Sequence, residues 1–234
     1  MQPRIKITKN KSENPDEPEN SVQVYEVIRI IDGIPLFLED HLERFKNSAN
    51  LANIQNLPSP ESIEQMLFEL ITDKKQEFGN IKLAVRNTGV PGPPQCKLDF
   101  IPHFYPPEEK YSIGVKIGLM KAERPNPQAK LQHETIRNKA NHLMSKKSVF
   151  EILLIDHQGT ITEGSRSNVF FVKNDQLITP PDDKVLNGIT RSKIIKLCDE
   201  NDIPLFTKDI PVAELNHFEG AFLTGSSPKV LPIS

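Results

Sequence analysis

From residue 22 onward the chain alternates short apolar runs with longer amphipathic stretches. Residues 22–31 (VQVYEVIRII) are rich in β-branched side chains and predict a strand. Asp32-Gly33 is a hairpin signal, which makes 34–38 the partner strand. In EDHLERFKNSANLANI, residues Leu42, Phe45, Ala49 and Ala52 recur at helical spacing. Ser59-Pro60 starts a second helix, with serine as N-cap and proline at the first helical position. Its apolar face is Ile63, Met66, Leu67, Leu70 and Ile71. Three strands are then expected at 81–85, 97–104 and 112–119, separated by the proline-rich loops VPGPP and YPPEEK.

Residues 123–128 (ERPNPQ) break any regular element, because each proline disfavours helix before it. The domain boundary is placed there: a small N-terminal unit over 1–122, a linker over 123–128 and a larger unit over 129–234. Beyond it the pattern predicts a helix over 134–147 and strands over 150–156, 160–162 and 168–172. A helix over 190–200, with Ile194, Ile195, Leu197 and Cys198 inward, precedes strands at 203–206 and 221–224. Helices and strands mix without strict βαβ alternation, so the fold class is α+β with largely antiparallel or mixed sheets.

Composition narrows the function. The chain has 29 Lys plus Arg against 31 Asp plus Glu, a net charge of −2, which argues against a nucleic-acid or polybasic membrane-surface role. No apolar window is long enough to span a bilayer, and the polar start, with the charged stretch 10–19 (NKSENPDEPE), lacks a signal-peptide core. The 2 cysteines are too few for a disulfide scaffold, so a cytoplasmic location is expected. The six histidines do not cluster at ligand spacing, and no metal site is expected.

Nucleotide-binding, zinc-protease and nucleophile-elbow signatures are absent. Three segments remain as candidates. Residues 162–168 (TEGSRSN) lodge a carboxylate, glycine and serines between two strands, where Glu163 can face a cleft. Residues 186–191 (LNGITR) feed a helix whose first amides can bind an anion. Residues 223–228 (LTGSSP) run a strand into glycine and hydroxyls, again able to hold phosphate. Each alone reads equally as an ordinary turn or cap.

Jointly and in order, these segments resemble the class IV (fold type IV) pyridoxal-phosphate aminotransferases. That family includes branched-chain and D-amino-acid aminotransferases and aminodeoxychorismate lyase. The similarity starts at Val24-Tyr25-Glu26-Val27-Ile28-Arg29 and passes through His41-Leu42-Glu43-Arg44-Phe45. It resumes at Glu163-Gly164-Ser165, Gly188-Ile189-Thr190-Arg191 and Thr224-Gly225-Ser226. The resemblance implies a small N-terminal α/β sandwich and a larger mixed-sheet domain with the cofactor cleft between them. It implies pyridoxal 5′-phosphate held as a Schiff base, amino transfer between an amino acid and a 2-keto acid, and a homodimer.

Two lysines compete for the cofactor. Lys130 lies 163 − 130 = 33 residues before Glu163, and Lys139 lies 163 − 139 = 24 before it, inside the expected helix. The family's lysine sits at the domain crossover, ahead of a helix and then a strand, a context that matches Lys130. By the same resemblance Glu163 keeps the pyridine nitrogen protonated, and Arg44 binds the phosphate. Ile189, Thr190 and Ser226 add phosphate donors. Leu186 packs on the ring, and Tyr25 stands on the substrate side.

This chain also departs from the family's pattern. Relatives carry a glycine-rich segment before the Val-Tyr-Glu strand, where residues 19–23 have no glycine. Arg86 and His103 lie in the half of the chain where one branch traps the substrate carboxylate, yet neither stands in a motif. Lyase relatives use a threonine near the first strand, and the corresponding residues are Glu26-Val27. The competing readings are the lyase and a non-catalytic interaction module that keeps the fold. Relatives also continue past the Thr-Gly-Ser motif into further strand and helix, so either that C-terminal element is absent here or the protein continues beyond Ser234.

Overall fold

The computed structural model describes residues 23–86, 94 and 96–234, so the charged stretch 10–19 and most of the VPGPP loop lie outside the described residues. The first sheet has the order β2-β1-β3-β4. Strand β1 (Gln23–Ile31) pairs antiparallel with β3 (Gly79–Arg86) from Gln23↔Arg86 to Ile30↔Gly79. Asp32 and Gly33 both take positive φ (52° and 74°), the turn geometry that matches strand twist. The partner strand is shorter than expected: β2 is only Ile34–Pro35. Phe37, with φ 54° in the left-handed region, breaks the extended chain and leads directly into α1 (Leu38–Leu51).

Helix α1 buries Leu42, Phe45 and Ala49, as its spacing predicts. Helix α2 (Pro60–Lys74) is capped as expected, with the Ser62 amide donating to Ser59 Oγ at 3.2 Å. Its buried residues Ile63, Leu67 and Ile71 meet Val24, Ile28, Ile81 and Leu83 of the sheet in one core. Removing an apolar side chain of this size from water stabilises by roughly 1.5–3 kcal/mol.

Strand β4 (Cys96–Ile101) stops before Pro102, short of the expected 104. The strand expected over 112–119 is instead a short helix, α3 (Glu109–Ile113), then β5 (Ile117–Lys121). Gly114 (φ 78°) ends the helix, and a side chain there would press on Ser234. The division at residue 122 also leaves β5 with the N-terminal unit, yet β5 pairs in parallel with β6 (Glu151–Ile155) of the second half.

That half holds α4 (Glu134–Lys147), as predicted, and two sheets. One runs β11-β7-β6-β5, with β7 at Thr160–Gly164 and β11 at Ile210–Pro211. The other runs β10-β9-β8-β12-β13, built from β8 (Asn168–Lys173), β9 (Gln176–Thr179), β10 (Leu205–Thr207), β12 (Gly220–Gly225) and β13 (Lys229–Ile233). Leu153, Ile161, Val169, Phe171, Leu223 and Leu231 pack between them. Ile152 and Leu154, on the other face of β6, pack with Ala140 of α4. Strand β6 is therefore buried on both faces, which is why it reads as an unbroken apolar run. Helix α5 (Ile189–Glu200) buries Arg191 and Cys198, whereas Leu197, expected inward, is 54% exposed. The pairing is mixed, antiparallel except for β5–β6 and β9–β10. Among the described residues no helix is long and apolar enough to cross a membrane.

Candidate active site

A cavity of about 570 Å³ opens between the first sheet and the C-terminal half. That volume is typical of small-molecule and cofactor sites. It gathers all eight of the site residues singled out by sequence: Tyr25, Arg44, Lys130, Glu163, Leu186, Ile189, Thr190 and Ser226.

Lys130 is positioned by its backbone. The Tyr25 amide donates to its carbonyl at 3.2 Å, its own amide donates to Ser48 Oγ at 3.1 Å, and Leu131 bridges Val24. The crossover chain is thus tied to the free side of β1. Its Nζ stands 5.2 Å from the centre of the Tyr25 ring. Burial pushes the ammonium down from its ordinary value, and the Arg44 charge adds to the effect. Lys139 is exposed on α4 and does not line the cavity.

Glu163, near the end of β7, is 3% exposed. The Leu186 amide donates to its Oε2 at 3.2 Å, and Arg124 Nε stands 3.0 Å from Oε1. That second approach has the distance of an ion pair without hydrogen-bond alignment, and Oε1 is left with no hydrogen-bond partner in the protein. Burial pushes the carboxyl up, against the pull of Arg124. The turn that follows is shaped by a second buried carboxylate, Glu151. It accepts from Ser165 Oγ at 2.6 Å, Ser167 Oγ at 2.9 Å and the Arg166 amide at 3.2 Å. A Cβ at Gly164 would collide with Ser167 Oγ, which explains the glycine after Glu163.

At the other end, Arg44 of α1 donates to Glu26 through Nε at 2.8 Å and a terminal nitrogen at 2.6 Å, and to the Asn187 carbonyl at 3.0 Å. His41 Nδ1 meets the same carboxylate at 2.8 Å. Gly188 caps α5, and any Cβ there would collide with Asn168 Oδ1. Ile189 and Thr190 occupy the first turn, where amides lack intrahelical partners. Ser226 lies beside Ser227, which accepts from Asn80 Nδ2 at 2.9 Å and, on its carbonyl, from Arg29 at 3.2 Å. This end of the cavity is therefore built from both halves of the chain.

Sequence reasoning missed four charged lining residues. Arg124 stood in a stretch read only as a proline breaker, Arg137 on a helix face and Arg166 in a turn. Glu151 looked like the polar start of a strand. Arg137 donates to Tyr25 Oη at 2.9 Å. Burial raises the Tyr25 phenol, but the charges of Lys130, Arg137 and Arg124 outweigh it and the net shift is downward. His103 lines the cavity and packs on Tyr105, and Arg86 stands opposite Gln23 at the end of β3.

The sequence profile of class IV aminotransferases matches residues 23–234. The chain belongs to the class IV aminotransferases. It is 31% identical over 223 residues to a D-alanine aminotransferase of Bacillus licheniformis, covering 90% of this chain and 77% of that one. In structure it is similar to the branched-chain aminotransferase of Escherichia coli, with TM-score 0.79, 21% identity and coverage of 91% and 76%. It is also similar to a Legionella pneumophila protein described as a 4-amino-4-deoxychorismate lyase, with TM-score 0.82, 21% identity and coverage of 90% and 81%.

Class IV aminotransferases use pyridoxal 5′-phosphate, and the cavity suits it on three observations. A buried carboxylate oxygen at Glu163 lacks a donor, as the site of a ring N–H requires. An amine with depressed pKa faces the same space at Lys130. A helix start flanked by hydroxyls and Arg44 offers the dianion its donors.

Proposed function

We propose that this class IV aminotransferase moves an amino group between an amino acid and a 2-keto acid, with Lys130 carrying the cofactor. The observation that supports this most is an amine and a carboxylate at one cavity with pKa values pushed together: Lys130 down, Glu163 up. Bound pyridoxal phosphate supplies the electron sink for the carbanion left when a Cα–H bond breaks. Burial beside Arg44 favours the neutral Lys130 amine, the form that can attach to the cofactor aldehyde. The uncharged Nζ would be the general base that takes the Cα proton. Glu163 Oε1, which lacks a hydrogen-bond partner in the protein, would accept from the ring N–H and keep that proton in place. Arg44, the Ile189 and Thr190 amides, and the Thr190 and Ser226 hydroxyls hold the phosphate. Leu186 covers the ring face, and Tyr25 borders the substrate.

The same reading divides the chain into two lobes joined through 123–128, with β5 placed in the second. It also takes the working protein to be a cytoplasmic homodimer. Two unpaired thiols and Phe104, 69% exposed at the cavity mouth, favour this. Light scattering of the purified protein tests it.

The chemistry is tested by borohydride reduction of cofactor-loaded protein followed by peptide mass mapping. Attachment at Lys130 is expected, with Lys130→Ala losing the visible absorbance band and Lys139→Ala keeping it. A band that survives in Lys130→Ala overturns the assignment. Half-reactions with single amino acids separate transamination from the lyase alternative.

A further inference from the structure

The pair Gly225↔Lys229 closes the ladder between β12 and β13, so residues 226–228 connect the two strands as a turn, and that turn lines the cavity. It belongs to the second half of the chain, yet side chains of the first half hold it. Arg29 of β1 donates to the Ser227 carbonyl at 3.2 Å, and Asn80 of β3 donates through Nδ2 to Ser227 Oγ at 2.9 Å. Arg29 and Asn80 are cross-strand partners, so one rung of the β1–β3 ladder grips both the backbone and the side chain of Ser227. Tyr105, past the end of β4, supports both. Its hydroxyl donates to Asn80 Oδ1 at 2.8 Å, and its ring centre lies 3.8 Å from the Arg29 guanidinium carbon. The His103 ring packs on it with centroids 4.4 Å apart. Asn80 is buried, and Tyr105 and Ser227 match the two ends of its amide. Because a buried amide end left unmatched is costly, Tyr105, Asn80 and Ser227 hold together as one chain of hydrogen bonds.

We propose that Asn80 is a positioning residue for cofactor binding: supported by Tyr105, it holds the turn in place through Ser227, so that Ser226 meets the cofactor phosphate already ordered. The inference rests on the reading that Ser226 holds that phosphate. A ligand that must first order a loop binds more weakly by the cost of ordering it. Asn80 removes that cost at the phosphate end and has no part in holding the ring, which lies with Lys130, Glu163 and Leu186.

The test is titration of the cofactor-free protein with pyridoxal 5′-phosphate and, separately, with pyridoxal, which has the ring and aldehyde without the phosphate. The visible absorbance band reads the binding of both. Asn80→Ala is expected to weaken pyridoxal 5′-phosphate roughly three- to tenfold, the range for one neutral hydrogen bond, and to leave pyridoxal affinity unchanged. Ser227→Ala should give the same selective loss. The double variant should lose no more than either single one, because the two substitutions remove the same bond. Tyr105→Phe, which keeps the ring against Arg29 and removes only the hydroxyl, should give a smaller selective loss. Equal weakening of both compounds means that Asn80 supports the fold alone and overturns the proposal. So does an unchanged affinity for pyridoxal 5′-phosphate in Asn80→Ala, or losses that add in the double variant. Should Asn80→Ala fail to fold, Ser227→Ala and Tyr105→Phe decide by the same criterion. An unsubstituted protein that forms no band, or binds pyridoxal as tightly as its phosphate, sinks the reading of the cavity. A phosphate preference that persists undiminished in every variant sinks this inference alone.

Discussion

Glu26 and Glu163 are both buried carboxylates beside an arginine, and the fold drives them in opposite directions. Glu26 is 0% exposed, yet it is held down to about 2. Burial opposes that shift, but the two-pronged Arg44 contact and the His41 ring outweigh it. Glu163 is pushed up although Arg124 Nε is only 3.0 Å away. The difference lies in alignment. Arg44 offers Glu26 two donors at 2.8 and 2.6 Å. Arg124 aims a terminal nitrogen at the Ser165 and Gly164 carbonyls, at 2.6 and 3.3 Å, and leaves Glu163 Oε1 without a hydrogen bond. Proximity of charge therefore does not by itself fix a carboxylate's protonation; satisfied lone pairs do. Glu26 serves as a buried strut for Arg44, while Glu163 is kept ready for a donor that the protein does not supply.

The largest effect is expected from breaking the strut. Glu26→Gln keeps the volume but leaves Arg44 and His41 without their shared anion. Removing one partner of a buried pair costs about 3–5 kcal/mol. Urea unfolding of the cofactor-free protein should show a loss of that size, together with weaker cofactor binding as Arg44 loses its aim. A loss below about 1 kcal/mol would mean that the pair does not anchor α1 to β1.

Acid separates the two carboxylates without a large structural change. Glu26 has a folded value near 2 against an ordinary 4.5, so its contribution is present above pH 4.5 and is lost as pH falls toward 2. At about 1.4 kcal/mol per unit this is about 3 kcal/mol. Glu163 has the reverse sign. Its raised value means that ionisation costs stability at neutral pH, and acidification relieves that cost before the Glu26 contribution fades. Unfolding free energy of the cofactor-free protein should thus rise slightly and then fall on acidification. Glu163→Gln should remove the rise and keep the fall.

How far the chain could be read beforehand follows from the same distinction. Helix α2 was legible because cap, period and length agree, with Ser59 as its cap and Ile63, Leu67 and Ile71 on one buried face. Glu163, Arg44 and Lys130 were legible because motif order placed them. Helix α3 was not, since Tyr111, Ile113, Val115, Ile117 and Leu119 alternate like a strand, and only the conformation of Gly114 and packing against β13 make the first of these residues helical. Arg124 was hidden by its prolines: a residue without regular structure acquires its role when the crossover chain is tied to β1 and swings its guanidinium over β7. Local propensity carries no trace of such a contact.

The smallest effect is the most specific, because it separates charge from alignment at Glu163. Arg124→Gln removes the positive charge that pulls the carboxyl down, so Glu163 should ionise at higher pH than in the unsubstituted protein. A carbon-detected NMR titration of the Glu163 carboxyl in the cofactor-free protein reads this directly. Arg124→Lys keeps the charge and loses the fork that grips the Ser165 and Gly164 carbonyls. If charge alone sets Glu163, the lysine variant titrates like the unsubstituted protein. If the grip on the turn matters, the freed turn admits water to Oε1, the burial penalty falls, and the carboxyl titrates lower than in the unsubstituted protein. We expect the second result, since burial is the largest influence on Glu163 and Arg124 holds the carbonyls that close the turn over it. Identical titration of all three proteins would show that neither feature of Arg124 reaches Glu163.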